Sequence, residues 1–107
     1  MSVVTLDTVL KFVVKTGAVV IGSKRTLDMV KLGKVKYVVI ASNVPEEIKQ
    51  DIEYYAKLSD VKIIRFPGTN RDLGTTIGKP FAIAVVGIVD PGQVPTEILD
   101  RFTEVSR

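Results

Sequence analysis

A short run of apolar, mostly β-branched residues, a polar turn and a helix-patterned stretch recur three times along this chain. Ala18 to Ile21 leads into Gly22-Ser23-Lys24-Arg25-Thr26, Tyr37 to Ala41 into Ser42-Asn43-Val44-Pro45, and Val61 to Phe66 into Pro67-Gly68-Thr69-Asn70-Arg71. Strand and helix periods that alternate in this way call for parallel strands in one open sheet, with helices packed on its faces. Such a sheet gathers the turns after its parallel strands on one edge, where ligands bind. The three turns are therefore expected to form one surface. They carry Gly, Ser, Thr, Asn, Lys and Arg but no His or Cys, and the nearby carboxylates fall in helix first turns. That inventory suits the grip of an anion better than bond-breaking.

The remaining segments complete the pattern. Leu6, Val9, Leu10 and Val13 fall at i, i+3, i+4 and i+7, an amphipathic helix stopped at Gly17. A second helix is expected over Thr26 to Leu32, with Leu27 and Val30 inward and Gly33 closing it in the left-handed turn that glycine adopts at least cost. Pro45 supplies a preset first helical position, followed by Glu46 and Glu47 where free N–H groups favour negative charge, and Ile48, Ile52, Tyr55 and Ala56 mark the buried face. Asn70 is a suitable cap for a fourth helix carrying Leu73 and Ile77 and ending at Gly78. Ala82 to Val89 reads as a last strand covered on both faces, and after the Asp90-Pro91-Gly92 turn Pro95 opens a final helix through Ile98, Leu99 and Phe102. Only the link from Gly78 to Ala82 is too short to cross over a sheet. The expected fold is α/β, a three-layer α/β/α sandwich formed by residues 1–107 as a single domain.

Composition narrows the chemistry. With 46% hydrophobic and 25% charged residues the chain reads as a soluble globular domain. Without Cys or His it has no disulfide framework, no thiol chemistry and no structural zinc site, and no cofactor is implied. The longest apolar stretch, Phe81 to Val89, is too short to span a bilayer and Asp7 interrupts any signal-like start, so the expected address is cytoplasmic, with no membrane partner. Net charge is only +3, but six cations against one anion lie between Lys15 and Lys36, while Glu46 to Asp60 is acidic. One side is expected to be basic and another acidic.

No nucleophile is paired with a base in the three turns, and neither a dinucleotide nor a triphosphate glycine loop is present. Gly22-Ser23-Lys24-Arg25-Thr26 instead offers backbone N–H groups, two cations and two hydroxyls, enough to hold phosphate oxygens, or simply a tight turn with a capped helix. Asn43 can bond base edges or local backbone, and Gly68-Thr69-Asn70 allows close approach of RNA backbone or caps a helix. Phe81, after Lys79-Pro80, is a candidate stacking ring or a core residue.

Six motifs then fall in register: Gly22-x-Lys24-x-Thr26, Ala41-Ser42-Asn43, Asp51-Ile52-Glu53-Tyr54-Tyr55-Ala56, Leu73-Gly74-Thr75, Gly78-Lys79-Pro80-Phe81 and Val89-Asp90-Pro91-Gly92. In order and spacing, from about Thr16 to Gly92, the chain resembles the archaeal and eukaryotic large-subunit ribosomal protein thirty-e family. The resemblance implies a mixed four-stranded sheet in the order one, four, two, three, with the fourth strand antiparallel to its neighbours. It also implies binding of kink-turn or similar internal-loop RNA, with sheared G·A pairs beside flipped-out nucleotides. In that picture Gly22, Ser23, Lys24, Arg25 and Thr26 face the bent RNA, Asn43 contacts a base, Gly68 and Asn70 line the third loop, Lys79 adds charge and Phe81 stacks. The related seven-Ae kink-turn family carries Asn-Glu where this chain has Lys24-Arg25, so that cousin's base-reading details do not transfer.

The function so implied is a non-catalytic ribosomal protein of the large subunit, bound to ribosomal RNA and neighbouring large-subunit proteins and monomeric outside the ribosome. The alternatives are a kink-turn protein of a non-ribosomal ribonucleoprotein and a small nucleotide-binding α/β enzyme.

Overall fold

The structure is a computed structural model, and it describes residues 5–102. Its elements run α1 (Leu6–Thr16), β1 (Ala18–Ile21), α2 (Ser23–Lys31), β2 (Tyr37–Ile40), α3 (Glu46–Leu58), β3 (Lys62–Arg65), α4 (Asn70–Thr76), β4 (Val85–Asp90) and α5 (Thr96–Asp100). The four strands form one sheet in the order β1-β4-β2-β3. β2 and β3 are parallel, and β4 runs antiparallel to both β1 and β2. The α/β/α sandwich and the mixed strand order are those anticipated.

Strand alternation divides the sheet between two cores. Val39, Val86, Ile88 and Ile64 point to one face and pack with Leu6, Val9, Leu10 and Val13 of α1, Leu73 of α4 and Leu99 of α5. Val38, Ile40 and Val85 point to the other, against Val30 of α2 and Ile52 and Ala56 of α3. Both faces are covered, which is why β2 is buried at each of its positions.

α5 ends at Asp100, short of the expected Phe102, and β2 is trimmed at its end and β3 at both of its ends. Three further boundaries, nearer the loop end, differ from the sequence reading. α2 begins at Ser23, three residues before the expected start at Thr26. Gly22 adopts φ of +104°, a conformation that side-chain-bearing residues rarely reach, so strand turns into helix within one residue and the Gly22 carbonyl accepts the Thr26 N–H at 3.0 Å. Of the two caps that the Gly68-Thr69-Asn70 turn offers, Thr69 and not Asn70 caps α4: the Thr69 hydroxyl accepts the Asp72 N–H, and the Asp72 carboxylate accepts the Thr69 N–H at 3.0 Å. β4 starts at Val85, because residues 79–83 are held back against α4 by Lys79 N–H to Gly74 O and Ile83 N–H to Asn70 O, each 2.9 Å.

At the far end of the sheet, buried Tyr37 donates its hydroxyl to Asp100 Oδ1 at 2.8 Å, and Lys62 Nζ reaches the same oxygen at 2.9 Å. This cluster fastens α5 to the starts of β2 and β3. Burial, then the hydrogen bond to Asp100 and its charge, push the Tyr37 phenol from 10.0 up to about 12. The bonds from Lys62 and Tyr37 hold the Asp100 carboxyl below its ordinary value. Because the folded-state phenol titrates above the unfolded one, its contribution is fully present below pH 10 and is lost as pH rises through about 12. Urea unfolding is expected to show a loss of about 2 to 3 kcal/mol over that alkaline window. Tyr37→Phe should flatten that stretch of the pH profile; an unchanged slope would exclude Tyr37 as its source.

Candidate nucleic-acid interface

The topology sends the C-terminal ends of β1, β2 and β3 and the N-terminal end of β4 to one edge of the sheet. The loops there are joined by backbone hydrogen bonds. Gly22 N–H bonds Val85 O at 3.0 Å, Ala41 N–H bonds Ala84 O at 2.8 Å, and Ser42 N–H bonds Gly68 O at 2.9 Å. The second and third loops are further linked through side chains. Asn70 N–H donates to Asn43 Oδ1 at 2.8 Å, and Asn43 Nδ2 donates to Asn70 Oδ1 at 3.1 Å. The segments that the sequence places on one rim are thus together, and their relative positions are fixed.

With α2 beginning at Ser23, Lys24 and Arg25 project from its first turn and are exposed. No side chain caps this end and its first turn carries no acid, so free N–H groups and two cations converge where the helix dipole already favours an anion. Neither Lys24 nor Arg25 forms an ion pair among the described residues. The rim is not uniformly basic, since exposed Glu46 and Glu47 open α3 beside the second loop. A polyanion is therefore drawn to the α2 side of the rim and repelled from the start of α3.

Lys79 and Phe81 are exposed on the segment that returns along α4 towards the rim, Phe81 with its carbonyl against Gly74, one turn from Asn70, and Lys79 with its N–H on the Gly74 carbonyl, further from the rim. Phe81 is 57% exposed, so its ring is no part of the core and is open to a stacking partner. Gly68 and Asn70 are half-buried, as are Gly22 and Ser23.

Thr26 is the exception. It is fully buried, donating its hydroxyl to Val20 O at 3.3 Å, with its methyl carbon against Gly87 of β4. The earlier start of α2 turns Thr26 onto the inward face with Val30, one turn on, so it anchors the helix to the sheet and does not face a ligand. The basic run from Lys15 to Lys36 is likewise no single face. Lys31 lies over the Tyr55 ring, 4.6 Å from its centroid, and Lys34 and Lys36 lie near the opposite end of the sheet from Lys24 and Arg25. Sequence reasoning missed the tie between Asn43 and Asn70, for which 27 intervening residues leave no local signal. It also left unexplained Gly74, which is buried in α4 directly against the Phe81 carbonyl.

Fold and rim together define an α/β/α module with a polar loop end that is cationic on one side. The chain belongs to the Ribosomal protein L7Ae/L30e/S12e/Gadd45 family, which matches residues 5–97. It is 51% identical to the large ribosomal subunit protein eL30 of Methanothermobacter thermautotrophicus, over 81% of this chain and 89% of that one. It is 46% identical to the protein of the same name from Sulfurisphaera tokodaii, over 89% and 88% of the two chains. A solved structure described as a protein with unknown function from Bacillus halodurans C has the same fold, with a TM-score of 0.72 at 20% identity, over 78% of this chain and 83% of that one. The resemblance carried by the six motifs holds at the level of the family. Among the described residues no group of His, Cys, Asp and Glu is placed to hold a metal ion, and no helix is long and apolar enough to cross a membrane.

Proposed function

We propose that this chain is a structural, non-catalytic protein of the large ribosomal subunit that binds ribosomal RNA at a kink-turn or similar internal loop through the loop end of its sheet. The observation that carries this reading is the hydrogen-bonded rim, a rigid polar surface with an exposed Phe81 beside α4 and, at the start of α2, Lys24 and Arg25, which form no ion pair among the described residues. Lys24 and Arg25 supply phosphate affinity, backbone N–H groups of the α2 start add donors, Asn43 meets a base edge and Phe81 stacks on an unpaired base. Gly22, Ser23, Gly68 and Asn70 shape the surface, and Lys79 adds positive charge at its flank. A rigid rim of this kind recognises a preformed bend in RNA more readily than a straight duplex. The relatives named as large ribosomal subunit proteins support a ribosomal partner for this chain. In this reading it sits in the cytoplasmic ribosome among neighbouring large-subunit proteins and is a monomer outside it.

Gel-shift titration against a kink-turn RNA and a straight duplex, at several salt concentrations, tests the reading. The kinked RNA should bind more tightly, with affinity falling as salt rises. Lys24→Ala should weaken binding and reduce the salt slope by about one contact. Phe81→Ala should cost roughly 1 to 3 kcal/mol of binding and leave the melting temperature unchanged. Equal affinity for both RNAs, or no response to either substitution, would refute the assignment. Co-sedimentation with large subunits separates the ribosomal reading from a ribonucleoprotein outside the ribosome.

A further inference from the structure

α1 and α4 lie on the same face of the sheet, and between them runs a groove of about 260 Å³ lined by Lys11, Val14, Lys15, Thr75, Ile77 and Gly78 among its residues. Lys11 and Lys15 stand one turn apart on α1, and both are exposed. Neither forms an ion pair among the described residues, although Asp7 lies one turn before Lys11. No acidic side chain lines the groove. Its floor is apolar, from Val14 and Ile77, and exposed Thr75 adds a hydroxyl. At Gly78 the groove opens onto the segment that carries Lys79 and Phe81 back to the rim.

We propose that this groove is a second RNA contact, taking the sugar-phosphate backbone of the strand that leaves the kinked segment past Phe81. The inference rests on the reading of the rim as an RNA interface. An apolar floor beside two ammonium groups suits a backbone that presents sugar faces beside phosphates. Lys11 and Lys15 form no ion pair among the described residues, so their charge is available to a polyanion. An acidic protein segment would meet the same two cations. RNA is favoured because Gly78, at one end of the groove, leads through exposed Lys79 and Pro80 to Phe81, so that one polymer can run from the rim to the groove.

The test uses the full chain and a set of RNAs: a kink-turn that ends at the internal loop, and the same loop extended by several nucleotides on one side or the other. The extended RNA that enters the groove should bind the unaltered protein more tightly than the short one, with a steeper salt dependence. Lys11→Gln combined with Lys15→Gln should abolish that gain and lower the salt slope on the extended RNA by roughly 1.5, the equivalent of about two phosphate contacts. Affinity for the short RNA and the melting temperature should stay unchanged, because both lysines lie on the surface. If the short RNA binds and neither extension adds affinity, or if the double variant keeps the gain, the groove assignment is overturned while the rim reading stands. If no kinked RNA binds in preference to a straight duplex, the rim reading fails and takes the groove with it.

Discussion

Gly74→Ala should destabilise the protein by about 3 kcal/mol and weaken its hold on kinked RNA, although alanine is the better helix former by roughly 1 kcal/mol in isolation. Gly74 is buried in α4, and a Cβ added there would run into the Phe81 carbonyl oxygen and lie 3.2 Å from the Phe81 carbonyl carbon. These are backbone atoms, so no side-chain rotation relieves the overlap. The segment cannot simply lift away either, since Lys79 N–H is tied to Gly74 O and Ile83 N–H to Asn70 O. Relief means breaking one of those bonds or shifting α4 against Leu73's packing in the core. Both routes displace Phe81, so RNA affinity should fall along with stability, unlike Phe81→Ala, which spares the fold. The shift in urea midpoint, read beside Thr75→Ala at the exposed neighbouring position, decides the matter. A Gly74→Ala protein as stable as the parent would mean that the return segment is not held against α4.

Gly74 also shows where a sequence stops being legible. Periodicity located the helices and strands because burial of one face is a local, repeating demand: Leu6, Val9, Leu10 and Val13 had to share a face wherever α1 lay. The strand order came from the family resemblance and not from the pattern, since apolar runs such as those in β2 and β4 do not state which neighbour they pair with. Errors gathered at turns. A polar stretch with two cations reads as an exposed loop through Thr26, but the single backbone angle at Gly22 starts α2 early and rotates Thr26 into the interior. Asn70 is a good cap by type, yet Thr69 with Asp72 satisfies the helix start, which leaves the Asn70 side chain for Asn43. Residues of the rim could be named from sequence because they are polar and follow strands. Their mutual ties could not, because Ser42 with Gly68 and Asn43 with Asn70 are long-range contacts that exist only once β2 and β3 are parallel neighbours.

That tie fixes what Asn43 can show to a ligand. A main-chain N–H donates, so the Asn43 atom 2.8 Å from Asn70 N is the carboxamide oxygen, and its nitrogen then faces Asn70 Oδ1 at 3.1 Å. One N–H and one oxygen lone pair remain for a base edge, in an orientation set before RNA arrives. Asn43→Asp preserves the acceptor for Asn70 N–H and deletes the donor, while placing a carboxylate against another acceptor oxygen on a surface meant for phosphates. Rotation of the Asn70 carboxamide can present its nitrogen to the new carboxylate, so stability should change by less than about 1 kcal/mol. RNA affinity should fall by about 2 to 3 kcal/mol, on the order of a hundredfold, through the lost base contact and repulsion of the bent backbone. Asn43→Ala, which removes the contact without adding charge, should lose less, and part of the deficit of Asn43→Asp should recover as pH drops toward the carboxylate range. Should Asn43→Asp bind kinked RNA as tightly as the parent, the carboxamide does not face the RNA, and the interface lies elsewhere on the rim.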